Sequence, residues 1–252
     1  MTHPVVLIKN IWSRYRGNFF AAILASLPLG IAMALGNIVN IFFPLSYIET
    51  AVNLPKPIVI GIYAIFVIIY GVICFASSVT LYLNANRLFE NQKVAIKASF
   101  KQTIPLFFPV LWVSILRSLI TFGGLILLIV PGVIWGLRYM FAEQTVLFEG
   151  KRGQAALSRS REITEGKLFT LFVDLIAIGV IYGGGVLIGS WCIVGFLSIV
   201  GTLIYNLTGS ELAYAILSYL IFAIVLVIRW VVIALPILAV VALYRDFKEN
   251  RG

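Results

Sequence analysis

Four apolar stretches, Phe19 to Phe43, Ile58 to Leu83, Ile104 to Phe148 and Leu168 to Tyr244, are separated by short polar segments in which the basic residues gather. A hydrocarbon core of about 30 Å takes roughly 20 apolar residues per helical crossing, so each stretch can cross at least once. Composition agrees. Of 252 residues 61% are hydrophobic and 12% charged, and the mean hydropathy is +1.04, whereas a soluble domain needs about a quarter charged residues to cover its surface. A soluble globular fold, disorder, a collagen-like repeat and a disulfide scaffold are excluded, and the chain reads as an all-α, polytopic integral membrane bundle.

The first stretch closes at Pro44, and Pro55 and Pro57 forbid a continuous helix into the second. The third is too long for one crossing and is expected to fold into a hairpin at Pro131-Gly132, with Gly123-Gly124 upstream. The fourth is also too long and has its softest point at Asn206 to Glu211. Six transmembrane helices in three hairpins are expected, forming a single membrane domain over residues 1–252. A seventh crossing, divided at Gly183-Gly184-Gly185, would export the basic tail, so Trp191 to Leu207 is expected to be re-entrant or to lie on the outer surface.

Lys and Arg near helix ends stay on the cytoplasmic side. Lys9, Arg14 and Arg16 precede the first crossing, and Arg87, Lys93, Lys97 and Lys101 lie between the second and third. Lys151, Arg152, Arg159, Arg161 and Lys167 lie between the fourth and fifth, and Arg245, Lys248 and Arg251 follow the sixth. The three opposite connections hold only Lys56, so both termini are expected in the cytoplasm. The basic start followed by an apolar run imitates a secretory signal, but the run continues past Ala34 to Phe43, which favours a retained first crossing.

The segments that lead into the odd-numbered crossings look related. Ala95-Ile96-Lys97-Ala98-Ser99 aligns without gaps with Ala156-Leu157-Ser158-Arg159-Ser160, and Gly17-Asn18-Phe19-Phe20 supplies the N-terminal counterpart. Three parallel repeats, 1–83, 84–148 and 149–252, are implied, each a short basic helix followed by a hairpin. In the third, Ala156, Leu157, Ser160 and Ile163 share one face while Arg152, Arg159 and Arg161 point elsewhere. Such a helix is expected to lie flat among the headgroups, with Lys97, Lys101, Lys151, Arg152, Arg159, Arg161 and Lys167 contacting anionic lipid. The net charge of +9 is therefore assigned to membrane lipids and not to nucleic acid, for which there is no soluble basic face.

Pro131-Gly132-Val133, Glu149-Gly150, Gly153, Ala156-Leu157, Ser160 and Gly166, with Leu243-Tyr244-Arg245-Asp246 near the end, resemble the signature of a bacterial six-span family. That family is typified by the membrane domain attached to some glycerophosphoryl diester phosphodiesterases. The resemblance implies a stand-alone member in a bacterial cytoplasmic (inner) membrane. There is no room for the catalytic domain, so hydrolysis is not implied.

The only histidine is His3, which removes imidazole-centred serine, cysteine and zinc mechanisms. No His-Glu-x-x-His, Gly-x-x-x-x-Gly-Lys or Gly-x-Ser-x-Gly run occurs, and Cys74 and Cys192 lie in apolar sequence as small packing residues. No catalytic residue, metal or cofactor is expected.

The costly residues are the charges within the apolar stretches: Arg117, Arg138, Glu143, Asp174 and Arg229. An Arg or Asp at a bilayer centre costs about 2.5–3.5 kcal/mol, so each must meet a partner, a cavity or the interface. Three positives against two negatives leave one surplus, which suits an anionic guest such as a phosphate headgroup. The plainer account is that Arg138–Glu143, and Asp174 with Arg117 or Arg229, bolt the helices together. The expected function is binding or translocation of a lipid or small amphiphile. The alternative is a structural or accessory subunit that docks a membrane protein partner through its basic helices.

Gly132 and Gly136, Gly179 and Gly183, and Gly185 and Gly189 have the four-residue spacing of close helix contacts. Pro28, Pro109 and Pro236 are expected to bend their helices, and Trp12, Trp135 and Trp191 to anchor at the interfaces.

Overall fold

The computed structural model describes residues 9, 13, 16, 19–42, 55–208, 224 and 235–249, and no strand occurs among them. The helices are α1 (Phe19–Phe42), α2 (Lys56–Phe89), α3 (Ile96–Leu127), α4 (Ile129–Arg138), α5 (Ala142–Glu149), α6 (Gln154–Thr164) and α7 (Leu168–Ile178). A π-helical turn, Gly179–Gly184, joins α7 to α8 (Gly185–Thr208), and residues 235–249 are helical and form α9.

Local chemistry sets most of these boundaries. α2 starts at Pro55-Lys56-Pro57, where Pro57 occupies the first turn and its missing N–H costs nothing. α5 stops at Gly150, whose φ of 68° is the left-handed conformation that ends helices. Gly153, at φ 52° and ψ −127°, caps the start of α6, and Gly166, at φ 72°, follows its end; both have the positive φ that favours glycine.

Three helices are long and apolar enough to cross a membrane: Pro57–Phe89, Ile96–Leu127 and Leu168–Leu207. Six crossings are not supported. Among the described side chains the first stretch yields a shorter apolar helix, Phe20–Ala34. The expected fourth helix is interrupted at residues 139–141, between α4 and α5. Most of the sixth, including Arg229, lies outside the described residues. The glycines at 183–185 do not divide the last stretch, because the helix absorbs them as a π turn and continues to Thr208. Trp191 to Leu207 is therefore continuous with α7 and is not a separate re-entrant segment.

Nor does a separate basic helix precede every hairpin. The segment around Lys97 and Lys101 forms the first turns of α3, and among the described residues only α6 stands alone. Apart from residues 9, 13 and 16, the segment leading into α1 lies outside the described residues. The hairpin in the third stretch also turns earlier than expected. Its linking residue is Leu128, extended at φ −164° and ψ 146°, and Pro131 lies in the first turn of α4. The cause is steric, since proline tolerates a helix start and lacks only an N–H that would be unpaired there.

Three buried clusters organise the packing, the smallest joining Ala25 and Leu29 of α1 to Leu81 of α2. Val110 and Val113 of α3 join Val79 and Leu83 of α2, Ala142 and Val146 of α5, and Ala156 and Leu157 of α6. Phe141, Ile163 and Leu171 join Leu243, Tyr244 and Phe247 of α9. α5 is thus enclosed by α3, α6 and α9. Large apolar side chains are exposed along α2 from Ile58 to Ile73 and on α3 at Ile104, Phe108, Trp112 and Ile115, as suits surfaces in contact with hydrocarbon.

Candidate functional site

α3 and α4 approach closely because glycine leaves room for backbone. A Cβ on Gly132 would stand 2.6 Å from the Leu125 nitrogen, and one on Gly124 would stand 2.8 Å from the Gly132 Cα. Gly136 packs near Thr121, whose Cγ2 would be 3.3 Å from an added Cβ. The 132/136 spacing is therefore a packing seam, whereas an added Cβ at Gly179, Gly183 or Gly189 would meet nothing within 4 Å. The antiparallel register set by the 125/132 and 121/136 neighbours puts Arg138 level with Leu119, two residues from Arg117. Both arginines stand at the base of the hairpin.

Glu143 answers Arg117 and not Arg138. Arg117 Nη1 lies 3.4 Å from Glu143 Oε1, and Ser114 Oγ donates to the same oxygen at 2.9 Å; the two charged side chains are 32% and 22% exposed. The pairing expected along one continuous helix fails because the turn at 139–141 re-aims α5 toward α3. Arg138 is half-buried and makes no ion pair among the described residues. Asp174, on α7, is 2% exposed.

The turn that separates Arg138 from Glu143 is held from α6. Ser160 Oγ donates to the Arg138 carbonyl oxygen at 2.9 Å and accepts the Phe141 N–H at 3.1 Å. Thr164 Oγ1 reaches the same carbonyl at 3.3 Å, and Thr145 Oγ1, which donates to the Ala142 carbonyl at 2.8 Å, lies 3.2 Å from the Ala156 carbonyl. Two backbone groups freed by the break are thus paired by side chains, as a buried interruption requires.

Ser99 and Thr103 repeat the pattern on α3. Ser99 Oγ donates to Asn84 Oδ1 at 2.8 Å, and Thr103 Oγ1 donates to the Ser99 carbonyl at 3.0 Å, as Thr164 does to Ser160 at 3.1 Å. All four side chains are buried. Ser99 and Ser160 occupy the same place in the gap-free alignment of the two segments, and the threonine four residues on in each was the signal available and unread.

α6 departs from the flat interfacial helix in one respect. Ala156, Leu157, Ser160 and Ile163 do share a face, but that face is buried inside the protein and not among headgroups. Lys97, Lys101, Lys151, Arg152 and Arg161 are exposed. Arg159 is engaged by Glu149 and Glu162, each at 3.0 Å, and these contacts raise its pKa. Lys167 is half-buried, with Nζ 5.9 Å from the centre of the Phe247 ring.

Glu149 is the hub of a clasp that the sequence did not reveal. It receives Arg159 Nε on one oxygen and, on the other, Tyr244 Oη at 2.8 Å and Lys248 Nζ at 2.9 Å. Burial pushes its carboxyl up, but the hydrogen bonds from Lys248, Tyr244 and Arg159 outweigh that and hold it below its ordinary range. Arg245 adds a contact to Glu90 at 3.2 Å, so α9 is tied to the ends of both α2 and α5.

Glu149 and Tyr244 form the clasp, Gly150, Gly153 and Gly166 carry positive φ, and Ser160 caps the broken helix. Among the described residues no group of three His, Cys, Asp or Glu could hold a metal ion. Set against protein-family models, curated proteins and solved structures, the chain matches none.

Proposed function

We propose that the chain is a multi-pass protein of a bacterial cytoplasmic membrane that binds or moves an anionic lipid or small amphiphile, without nucleotide chemistry of its own. The observation that carries this reading is Arg138, a half-buried guanidinium at the base of an apolar hairpin. Its neighbour Arg117 is already balanced by Glu143, while Arg138 makes no ion pair among the described residues. A forked donor set there suits a phosphate or carboxylate headgroup. Both termini lie in the cytoplasm and the chain crosses an even number of times; the shared side of the basic segments supports this topology. Kinship with the membrane domain of glycerophosphoryl diester phosphodiesterases belongs to the same proposal and rests on the short motifs alone.

A second reading, an accessory subunit that docks a membrane partner, is favoured by Lys151, Arg152 and Arg161. They stand exposed around a helix whose apolar face is already used internally.

Purified protein in vesicles, assayed for retained lipid and for transbilayer lipid movement, separates the two. The lipid reading expects retention of anionic over zwitterionic lipid, weakened on the order of tenfold by Arg138→Gln through loss of one charge-assisted contact. Absence of any lipid preference, together with a co-purifying membrane protein, would replace it with the accessory reading.

A further inference from the structure

The tip of the α3–α4 hairpin has no polar side chain. Leu125, Ile126, Leu127, Leu128, Ile129 and Val130 follow one another, and each is at least 43% exposed. A connection that surfaced in water on the far side would present six consecutive large apolar side chains to it. The linking residue keeps both of its own backbone groups paired. Leu128 N–H donates to the Gly124 carbonyl at 2.9 Å, Leu128 O accepts the Gly132 N–H at 3.3 Å, and Pro131 has no N–H to satisfy.

The depth of the hairpin follows from α6. Its hydrogen bonds from Ser160 and Thr164 to the Arg138 carbonyl put the C-terminal end of α6 level with Arg138. That end carries Arg161, Glu162 and Glu165, all exposed, so it stands in water or among headgroups. From Arg138 to the tip α4 has 10 residues, a rise of about 15 Å, or roughly half of the hydrocarbon core. Arg117 on the other leg lies at nearly the same level, joined to α5 through Glu143.

α3 is long enough to cross by itself, but its two flanks differ. Val110 and Val113 pack on the α5–α6 unit, while Ile104, Phe108, Trp112 and Ile115 are exposed apolar side chains. One flank is bare and apolar, and the other lies against the α5–α6 unit.

We infer that α3 and α4 form a re-entrant wedge: the hairpin enters and leaves on the α6 side, and its Leu125–Val130 tip is immersed in acyl chains short of the far surface. Relative to the six-crossing arrangement this removes two crossings and leaves both termini on one side. The inference rests on membrane residence and not on the anion-binding reading, and its test leaves Arg138 untouched.

The test uses the full chain, purified into phosphatidylcholine vesicles, with Cys74→Ala and Cys192→Ala and a single new cysteine. A membrane-impermeant maleimide is expected to label Lys151→Cys from one side and Leu128→Cys from neither, with both labelled after unfolding in SDS. A bimane on Leu128→Cys is expected to be quenched most by lipids brominated near their acyl chain ends. Labelling of Leu128→Cys from the face opposite Lys151→Cys would show a full crossing and overturn the inference; so would labelling from the same face, or quenching confined to headgroup-labelled lipid. Ile126→Cys and Val130→Cys carry the same expectations and serve if Leu128→Cys does not assemble.

Discussion

The hydroxyl of Ser160 donates to the carbonyl of Arg138 and accepts the N–H of Phe141, so one α6 side chain spans the break between α4 and α5. Ser160→Ala would leave both backbone groups buried without that partner. A loss of about 1–3 kcal/mol is expected, read as a lower midpoint of thermal unfolding in detergent, with little change for the exposed neighbour Ser158→Ala.

Gly132 and Gly183 have the same four-residue spacing to another glycine but opposite surroundings. A side chain at 132 collides with the α3 backbone, so Gly132→Val is expected to cost about 1–3 kcal/mol and to splay the hairpin. Gly183→Ala meets open space and should fall within about 0.5 kcal/mol of the parent. Denaturation of the two variants side by side, with cross-linking between cysteines placed at 121 and 136, checks both.

The Arg117–Glu143 pair is partly exposed, and solvent screening limits its worth. A double-mutant cycle of Arg117→Leu and Glu143→Leu should return a coupling on the order of 1 kcal/mol, falling as salt rises. Arg138→Leu should show no comparable coupling to Glu143→Leu, and a large one would reassign the partner.

Acid should loosen the C-terminal clasp. The Glu149 carboxyl is depressed below 4.5 in the folded state. Its contribution is therefore full above 4.5 and is lost as pH falls from there through the depressed folded value. Between pH 6 and pH 3, proteolysis of α9 is expected to rise in the parent. Glu149→Gln should be more susceptible already at pH 6 and lose most of that dependence.

Much of the local structure was legible, and its failures share a cause. Periodicity put Ala156, Leu157, Ser160 and Ile163 on one covered face, and that face is covered. It could not say by what, since protein and lipid impose the same spacing. Tyr139-Met140-Phe141 contains no glycine or proline, and the break there is capped by a serine 19 residues from Phe141. The charge arithmetic singled out Arg117, Arg138 and Glu143, but the turn at 139–141 decided which arginine Glu143 meets.

By itself the amino-acid order determined that the chain is apolar enough to suit lipid as its solvent, where its basic segments lie, and which short stretches turn or stop at glycine and proline. These are properties of composition and of near neighbours, written within a few residues of where they act. Tertiary structure decided how many apolar stretches persist as single long helices, which glycine pairs touch, and how Glu149 gathers residues from α6 and α9. The physical reason is that an apolar run can bury itself in lipid or in protein at similar cost, so the choice falls to hydrogen bonds and charges brought together from distant parts of the chain.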